Sequence, residues 1–258
     1  MKSEFLSTAA HELRTPMAAI YGFTELLLTQ DHDDASRREC LSIIYKQSEL
    51  MASILNELLD LARIEARRGK DFILEEVSVQ ALVLEVSNEF NLPAGRSAPV
   101  LVAPSAPLYI MADHKKAQQA IMNVLSNAYK YSPAGGNVSI TVEQASLPGE
   151  ASHGQPAESS PRVAIRIVDQ GIGMTAAQLD RVCERFYRAD TSGKIPGTGL
   201  GMSIVKEIVE LHGGEVQISS LAGTGTTVTL WLPSTGTQVG TPVQSARQQA
   251  ADFPDELS

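Results

Sequence analysis

Apolar residues recur every seven positions through the first thirty residues of the chain, from Leu6 to Leu27. This spacing is typical of an amphipathic helix that packs along another helix. It predicts one helix over residues 3–30. Pro16 lies inside that helix, and because proline has no backbone N–H, we expect a kink or a local opening of the hydrogen-bond ladder there.

A second helix is predicted over residues 36–67, after a short polar connection at 31–36. It carries two adjacent apolar stripes, one beginning at Leu41 and the other at Ile43. A single helical hairpin cannot bury both stripes, whereas two hairpins bury them together in a four-helix bundle. The pattern therefore predicts a homodimer formed through the hairpin.

Beyond residue 68 the pattern changes to short strands mixed with helices. The strands and helices do not alternate in a strict βαβ order, which favours an α+β domain with a mixed sheet over a Rossmann sheet. Strands are predicted over residues 72–79, 108–111, 138–142, 163–168, 215–219 and 226–232, and helices over residues 80–91, 113–131 and 201–212.

These patterns divide the chain into three parts. A helical hairpin is predicted at 1–68, an α+β domain at 69–233 and a tail at 234–258. The tail is poor in apolar residues, so we expect it to be disordered. Residues 144–162 are rich in Pro, Ser, Gly, Ala and Glu and are predicted to form a long loop between two strands.

The charge balance and the cysteine content exclude several classes of protein. Acidic residues outnumber basic ones by 30 to 21, a net charge of −9, whereas a nucleic-acid-binding protein usually carries a basic face. Cys40 and Cys183 are far apart and form neither a disulfide framework nor a zinc motif. No apolar run reaches the ~18 residues that span a bilayer, and no signal-peptide pattern opens the chain. We expect a cytoplasmic chain, whether or not its full-length parent is membrane-anchored.

A histidine on the first helix is a candidate for chemistry. His11 falls at position f of the heptad and is therefore predicted to face solvent. A neutral imidazole has one nucleophilic ring nitrogen, and the neighbouring Glu12 can fix the tautomer and accept the proton. Thr15 follows one turn later. Residues 11–16, His-Glu-Leu-Arg-Thr-Pro, resemble the phospho-acceptor box of sensor histidine kinases, with Ala10 where that family often has serine.

Two asparagines and a lysine share one face of the helix predicted over 113–131. Asn123 and Asn127 are four residues apart, and Lys130 follows nearly one turn later. A carboxamide oxygen is a good ligand for Mg²⁺ beside phosphate oxygens, and lysine adds a positive charge. This segment, which continues to Tyr131, resembles the N box of the same family.

An acidic residue and two glycines follow the strand predicted over 163–168. Asp169 can accept a hydrogen bond from an adenine amino group, and glycine at Gly171 and Gly173 lets a base approach the backbone. Together with Met174, these residues resemble the family's first glycine box.

A second glycine-rich segment precedes the helix predicted over 201–212. Free N–H groups before a helix N-terminus favour phosphate, but the spacing is neither that of a P-loop nor that of a Rossmann fingerprint. Residues 174–200 resemble the family's mobile ATP lid, with an F box that ends at Arg188, and residues 223–227 resemble its third glycine box. The second glycine box consists of Gly197, Thr198, Gly199, Leu200 and Gly201.

The boxes follow the family's order over about residues 3–233, and they resemble the core of a sensor histidine kinase. The resemblance implies a dimerising phosphotransfer hairpin and an ATP-binding domain with the α/β-sandwich fold of gyrase, Hsp90 and MutL. It implies ATP and Mg²⁺ as ligands and transfer of the γ-phosphoryl group to His11, with Glu12 as general base. The next acceptor would be an aspartate of a response regulator receiver domain.

The resemblance also implies roles for the residues of the ATP site. Asn127 would hold the metal ion, and Asn123 would belong to the ATP-binding residues. Asp169 would bind adenine, with support from Thr227. Phosphate contacts would come from three further residues: Lys130, Tyr131 and Arg188.

Several alternatives remain open. Glu12 and Thr15 match the pattern with which family members position a water to dephosphorylate the phospho-regulator. The resemblance therefore implies a second activity beside the kinase, and the alternative is a chain biased towards that phosphatase activity. ATPases of the same fold typically have glutamate where Asn123 stands, which argues against hydrolysis as the purpose. A serine kinase of the fold would lack the helix pair that carries His11. The last alternative is a non-catalytic dimeric scaffold with a nucleotide site.

Overall fold

Two long helices open the structure and pack against each other as an antiparallel hairpin. These are α1 (Lys2–Thr29) and α2 (Asp34–Arg67), which confirms the two helices predicted from the heptad pattern. α1 continues through Pro16, which is buried. Because proline has no N–H, the carbonyl of Glu12 lacks its usual helical donor. The computed structural model describes these parts of the chain: residues 2–67, 69–146, 161–190, 195 and 197–236.

The rest of the described chain forms one seven-stranded sheet and four helices. The helices are α3 (Val79–Glu89), α4 (His114–Lys130), α5 (Ala176–Leu179) and α6 (Gly201–Leu211). The strands are β1 (Glu75–Ser78), β2 (Val100–Val102), β3 (Tyr109–Ala112), β4 (Ser139–Ser146), β5 (Pro161–Val168), β6 (Glu215–Leu221) and β7 (Gly225–Gly236).

The sheet is mixed, as the sequence predicted. Its order is β1-β3-β7-β5-β4-β2, with β6 paired to β7 outside that path. β2 runs parallel to β4, and every other described pair is antiparallel. β7 continues to Gly236, three residues into the predicted tail. The remainder of that tail, 237–258, and most of the predicted loop, 147–160, lie outside the described residues.

Local hydrogen bonds fix the starts of the two helices that lead into the core. The Ser78 side chain accepts from the backbone N–H of Ala81 at the N-terminus of α3. Asp113 does the same for α4, where its Oδ1 accepts from the Lys116 N–H at 3.0 Å. These caps satisfy N–H groups that have no partner inside the helix.

The core lies between one face of the sheet and helices α3, α4 and α6. Alternate residues of β5, such as Ile165 and Ile167, point into it, as do Val228 and Leu230 of β7. The end of α2 joins the same core through the fully buried Leu61. The hairpin is therefore docked on the α+β domain. Among the described residues, no helix has the length and apolar character that a membrane span requires.

Candidate functional site

The histidine of the first helix lies at the surface. The His11 side chain is 72% exposed, and the nearer carboxylate oxygen of Glu12 lies 3.6 Å from its Nδ1. That distance is an electrostatic contact rather than a hydrogen bond. The hydroxyl of Thr15 donates to the His11 carbonyl at 3.4 Å. The imidazole is thus accessible to solvent, with a carboxylate near its Nδ1.

A cavity of about 410 Å³ lies between α4, α6, the sheet and the segment before α6. Its size is that of a small-molecule site. Residues from α2 also line it, namely Leu50, Ser53 and Glu57. It brings together most of the site residues predicted from sequence: Asn123, Asn127, Lys130, Tyr131, Asp169, Gly173, Met174, Gly197, Thr198, Gly199 and Gly201.

Asp169 lines the cavity directly after β5 and is 8% exposed. Its Oδ1 accepts from the backbone N–H of Gly171 at 2.8 Å and from that of Thr226 at 3.2 Å. No described residue donates to its other oxygen. Burial raises the pKa of Asp169, against the opposing effect of those two backbone donors. One carboxylate oxygen is therefore fixed by the backbone, and the other is available to a ligand.

Apolar residues form the walls around Asp169. Ile167, Ile172, Ile218 and Val228 all line the cavity. Apolar walls suit a flat aromatic base, and the oxygen of Asp169 to which no described residue donates can accept a hydrogen bond from an amino group. These four residues were not predicted from the sequence, because each is an ordinary apolar residue of a strand or loop.

Two predicted glycines are required by close backbone packing. A Cβ on Gly171 would lie 2.2 Å from the carbonyl oxygen of Tyr131, and one on Gly173 would lie 2.0 Å from that of Leu221. Gly173 also has a φ of +60°, which L side chains rarely adopt. Gly171 does not line the cavity; instead, its N–H orients Asp169.

The part of the cavity next to the start of α6 is polar. Asn127 on α4 faces the first turn of α6, since a Cβ on Gly201 would lie 3.9 Å from its Nδ2. The Lys130 ammonium is close to Gly197. Burial lowers the pKa of Lys130, partly offset by the attraction of Glu57. This part combines an amide oxygen, an ammonium and a glycine-rich backbone, which together suit phosphate groups and a cation bound to them.

Within the described residues, no group of three or more acidic, histidine or cysteine side chains could hold a metal ion. A magnesium ion would therefore rely on phosphate oxygens together with Asn127. That donor set fits Mg²⁺, which prefers few protein ligands and keeps phosphate and water oxygens.

Arg188 and Leu200 do not line the cavity, although the resemblance implied a phosphate contact for Arg188 and placed Leu200 in the second glycine box. The Arg188 Nη2 donates to the carbonyl of Ile195 at 2.6 Å, so the guanidinium supports the segment before α6. Leu200 is fully buried in the core, and its backbone N–H donates to the Thr198 hydroxyl at 3.2 Å.

The predicted support of Asp169 by Thr227 needs correction. Thr226 and Val228 line the cavity, so the intervening Thr227 lies on the other face of β7. The backbone of Thr226 pairs with that of Asp169, and its N–H also donates to the carboxylate. A shift of one residue along a strand moves a side chain to the opposite face of the sheet. The sequence pattern at 226–228 does not show which of the neighbouring threonines faces the cavity.

Ser220 of β6 connects the first and the third glycine boxes near Asp169. It was not predicted from the sequence. Its hydroxyl accepts from the backbone N–H of Met174 at 2.9 Å and donates to the carbonyl of Gly225 at 3.0 Å. It also lies 2.9 Å from the hydroxyl of Thr226. Ser220 thereby fixes two cavity-lining residues without lining the cavity itself.

We expect Ser220→Ala to weaken nucleotide binding about fivefold, because the Met174 N–H loses its acceptor and one hydrogen bond contributes about 1 kcal/mol. The exposed Ser219 provides a matched control on the same strand. Titration calorimetry with ATP measures both variants. Equal affinity for Ser220→Ala and Ser219→Ala would show that Ser220 does not order this part of the site.

Comparisons with known proteins agree with the two parts of the structure. Residues 1–67 match the family model of the His Kinase A (phospho-acceptor) domain. Residues 112–236 match that of the histidine kinase-, DNA gyrase B-, and HSP90-like ATPases.

The chain is 34% identical to hybrid signal transduction histidine kinase D of Dictyostelium discoideum, over 91% of this chain and 15% of that protein. It is 31% identical to the sensor histidine kinase WalK of Bacillus subtilis, over 90% of this chain and 36% of WalK. The chain thus spans about a third or less of these relatives.

Two solved structures share the fold. The histidine kinase AdeS of Acinetobacter baumannii superposes with a TM-score of 0.64 at 22% identity, covering 88% of this chain and 98% of that one. Full-length ShkA in complex with AMPPNP gives a TM-score of 0.61 at 26% identity, covering 90% of this chain and 46% of ShkA.

A phospho-acceptor hairpin joined to an ATPase domain of this fold defines the core of a protein-histidine kinase. The cavity carries the residues of the N box and of the glycine boxes, and both family models match in that order. The chain belongs to the histidine kinase family.

Proposed function

We propose that this chain autophosphorylates His11 with the γ-phosphoryl group of ATP. The observation that carries the proposal is one cavity lined by Asp169 together with apolar side chains and also by Asn127 and Lys130. An adenine between the apolar walls would donate its amino group to Asp169, and its phosphates would reach the polar part. ShkA, which shares the fold, was solved with AMPPNP, and this supports ATP as the substrate.

His11, Glu12 and ATP supply every group that the proposed transfer needs. The lone pair of His11 Nε2 attacks the γ-phosphorus, an N–P bond forms, and the bond to the bridging oxygen breaks, so that ADP leaves. The imidazole becomes positively charged, and the proton on Nδ1 passes to the Glu12 carboxylate beside it. Transfer of this kind depends on positioning and on neutralising phosphate charge, which is the proposed task of Lys130. Mg²⁺, when bound with Asn127, neutralises further charge on the phosphates.

His11 and the cavity occupy the same level of the hairpin. His11 lies about five helical turns before the end of α1, and residue 52 lies as far after the start of α2. Because the helices are antiparallel and rise equally per residue, His11 is about level with residue 52. Leu50 and Ser53, which flank that position, line the cavity. This shared level supports His11 as the acceptor.

We also propose that the hairpin pairs with a second copy. Large apolar side chains remain exposed along it, among them Met17, Tyr21, Leu28, Leu41, Tyr45, Leu55 and Leu59. A stripe of that length on a helical hairpin is typically covered by another hairpin, which gives a four-helix bundle. The result is the predicted homodimer.

The phosphoryl group of His11 would then pass to an aspartate of a response regulator receiver domain. Thr15 lies one helical turn from His11 and Glu12 adjoins it, so the same surface would position a water to dephosphorylate that regulator. ATP and response regulators are found inside cells. We therefore propose that the chain acts in the cytoplasm.

Labelling with γ-labelled ATP tests the proposed kinase. We expect acid-labile, base-stable label on the unaltered chain and on His32→Ala, and at least about a hundredfold less on His11→Ala, which lacks the nucleophile. His32 is a suitable control because it belongs to the connection between the same two helices. Equal label on His11→Ala would place the acceptor elsewhere. ATP binding without any label would favour the phosphatase-biased or scaffold alternative.

A further inference from the structure

An acidic residue of α2 occupies the polar part of the nucleotide cavity. Glu57 is held on both carboxylate oxygens: Oε1 accepts from the Ser53 hydroxyl at 2.9 Å, and Oε2 accepts from the Thr198 hydroxyl. Thr198 belongs to the second glycine box and is 7% exposed. A residue of the phospho-acceptor hairpin thus bonds directly to a residue that lines the ATP site.

The same part of the cavity is the one proposed for the phosphates. The Thr198 hydroxyl donates its one hydrogen to Glu57 and accepts from the Leu200 N–H, so it has no hydrogen left to donate to a phosphate. Lys130 lies in the same cavity and is attracted by the Glu57 carboxylate. A negative charge of the protein therefore stands among groups that favour the negative charge of a phosphate.

Glu57 is fixed there by a wider interface between α2 and the α+β domain. Leu61 and Ile64, one and two turns further along α2, are buried in the core of that domain. Asp60 accepts from the Gln119 side chain at 2.8 Å and from the Lys116 ammonium at 3.4 Å.

A further ion pair joins Glu65 of α2 to Arg185 of the lid segment. Polar contacts from α2 therefore reach the lid at Thr198 and at Arg185. The packing of α2 against the α+β domain therefore fixes the position of Glu57.

We propose that Glu57 is an internal competitor of ATP, which stabilises the docked hairpin and must leave the cavity when the phosphates enter. The inference rests on the proposed function. Because coupling between two binding events is reciprocal, docking through Glu57 weakens ATP binding by the same factor by which ATP weakens docking. ATP would thereby release α2 from the lid, which frees the domain to approach His11.

Glu57→Gln tests the competition, because it keeps the shape of the side chain and removes its charge. A hydrogen bond to a charged group contributes more than one between neutral groups, so we expect ATP to bind Glu57→Gln about tenfold more tightly. Glu39→Gln, an exposed site on the same helix, should bind ATP like the unaltered chain. The affinities are measured by calorimetry, with Mg²⁺ and with EDTA.

Hydrogen exchange without nucleotide tests the docked contact itself. We expect the backbone N–H groups of residues 197–201 to exchange faster in Glu57→Gln than in Glu39→Gln. Unchanged ATP affinity would overturn the competition, as would unchanged exchange. Weaker ATP binding that appears only with Mg²⁺ would also overturn it, because Glu57 would then be a metal ligand. If none of the proteins binds ATP, both the proposed function and the competition fail. Faster exchange of residues 197–201 in Glu57→Gln would then show only that Glu57 makes a structural contact with this segment.

Discussion

Replacing Asp169 with Asn is expected to weaken ATP binding about a hundredfold while the fold is kept. Asn retains an acceptor oxygen for the N–H groups of Gly171 and Thr226. Its amide nitrogen then faces the adenine amino group, so two donors meet where a carboxylate accepted a hydrogen bond. Losing a hydrogen bond to a charged group costs up to about 3 kcal/mol, which is roughly a hundredfold in affinity. Calorimetry with ATP measures the change.

The pH dependence of ATP binding adds an independent check on Asp169. Burial raises the pKa of this carboxyl, so its charged form is lost at a higher pH than that of an ordinary aspartate. ATP affinity should therefore be full at neutral pH and decline earlier than usual as the pH falls. The exposed Asp180 is the control. If Asp180→Asn and Asp169→Asn bind ATP equally well, Asp169 does not bind adenine.

Gly173→Ala is expected to destabilise the α+β domain by more than about 3 kcal/mol. The added Cβ would lie 2.0 Å from the backbone carbonyl oxygen of Leu221, and the φ of +60° disfavours alanine. Neither strain is relieved by moving a flexible side chain. Trp231, the one tryptophan of the chain, lies on β7 and reports on unfolding of this domain in urea by fluorescence.

Gly22→Ala is the matched control for that substitution. Gly22 lies inside α1 with no heavy atom within 4 Å of the added Cβ, and alanine favours a helix by up to about 1 kcal/mol over glycine. We expect the urea midpoint of this variant to stay the same or rise. An unchanged midpoint for Gly173→Ala would contradict the close packing of the first glycine box against β6.

The helices and the mixed sheet were predictable because their signals are local. Apolar spacing along α1 and α2 sets which face is buried, and caps such as Asp113 start a helix at a defined residue. β2 was missed because Val100, Leu101 and Val102 form a three-residue edge strand whose side chains are all exposed. Without an alternation of buried and exposed positions, no periodic signal marks it.

The site was predictable only as far as its residues belong to boxes with a fixed spacing. Asp169 and Asn127 stand in such boxes, and the structure brings both to one cavity. Ser220 and Glu57 carry no local signal, because the partners that connect them to the site, Met174 and Thr198, lie 46 and 141 residues away in the sequence. Contacts of that kind follow from how the strands and the hairpin pack in three dimensions.

The central claim is that His11 accepts the phosphoryl group, and peptide mapping tests it most directly. After incubation with ATP and Mg²⁺, cleavage at Lys2 and Arg14 gives peptide 3–14, whose one histidine is His11. Mass spectrometry at alkaline pH should find one added phosphoryl group on that peptide, and brief acid treatment should remove it. A phosphoryl group on any other peptide, or one that survives acid, would contradict the account.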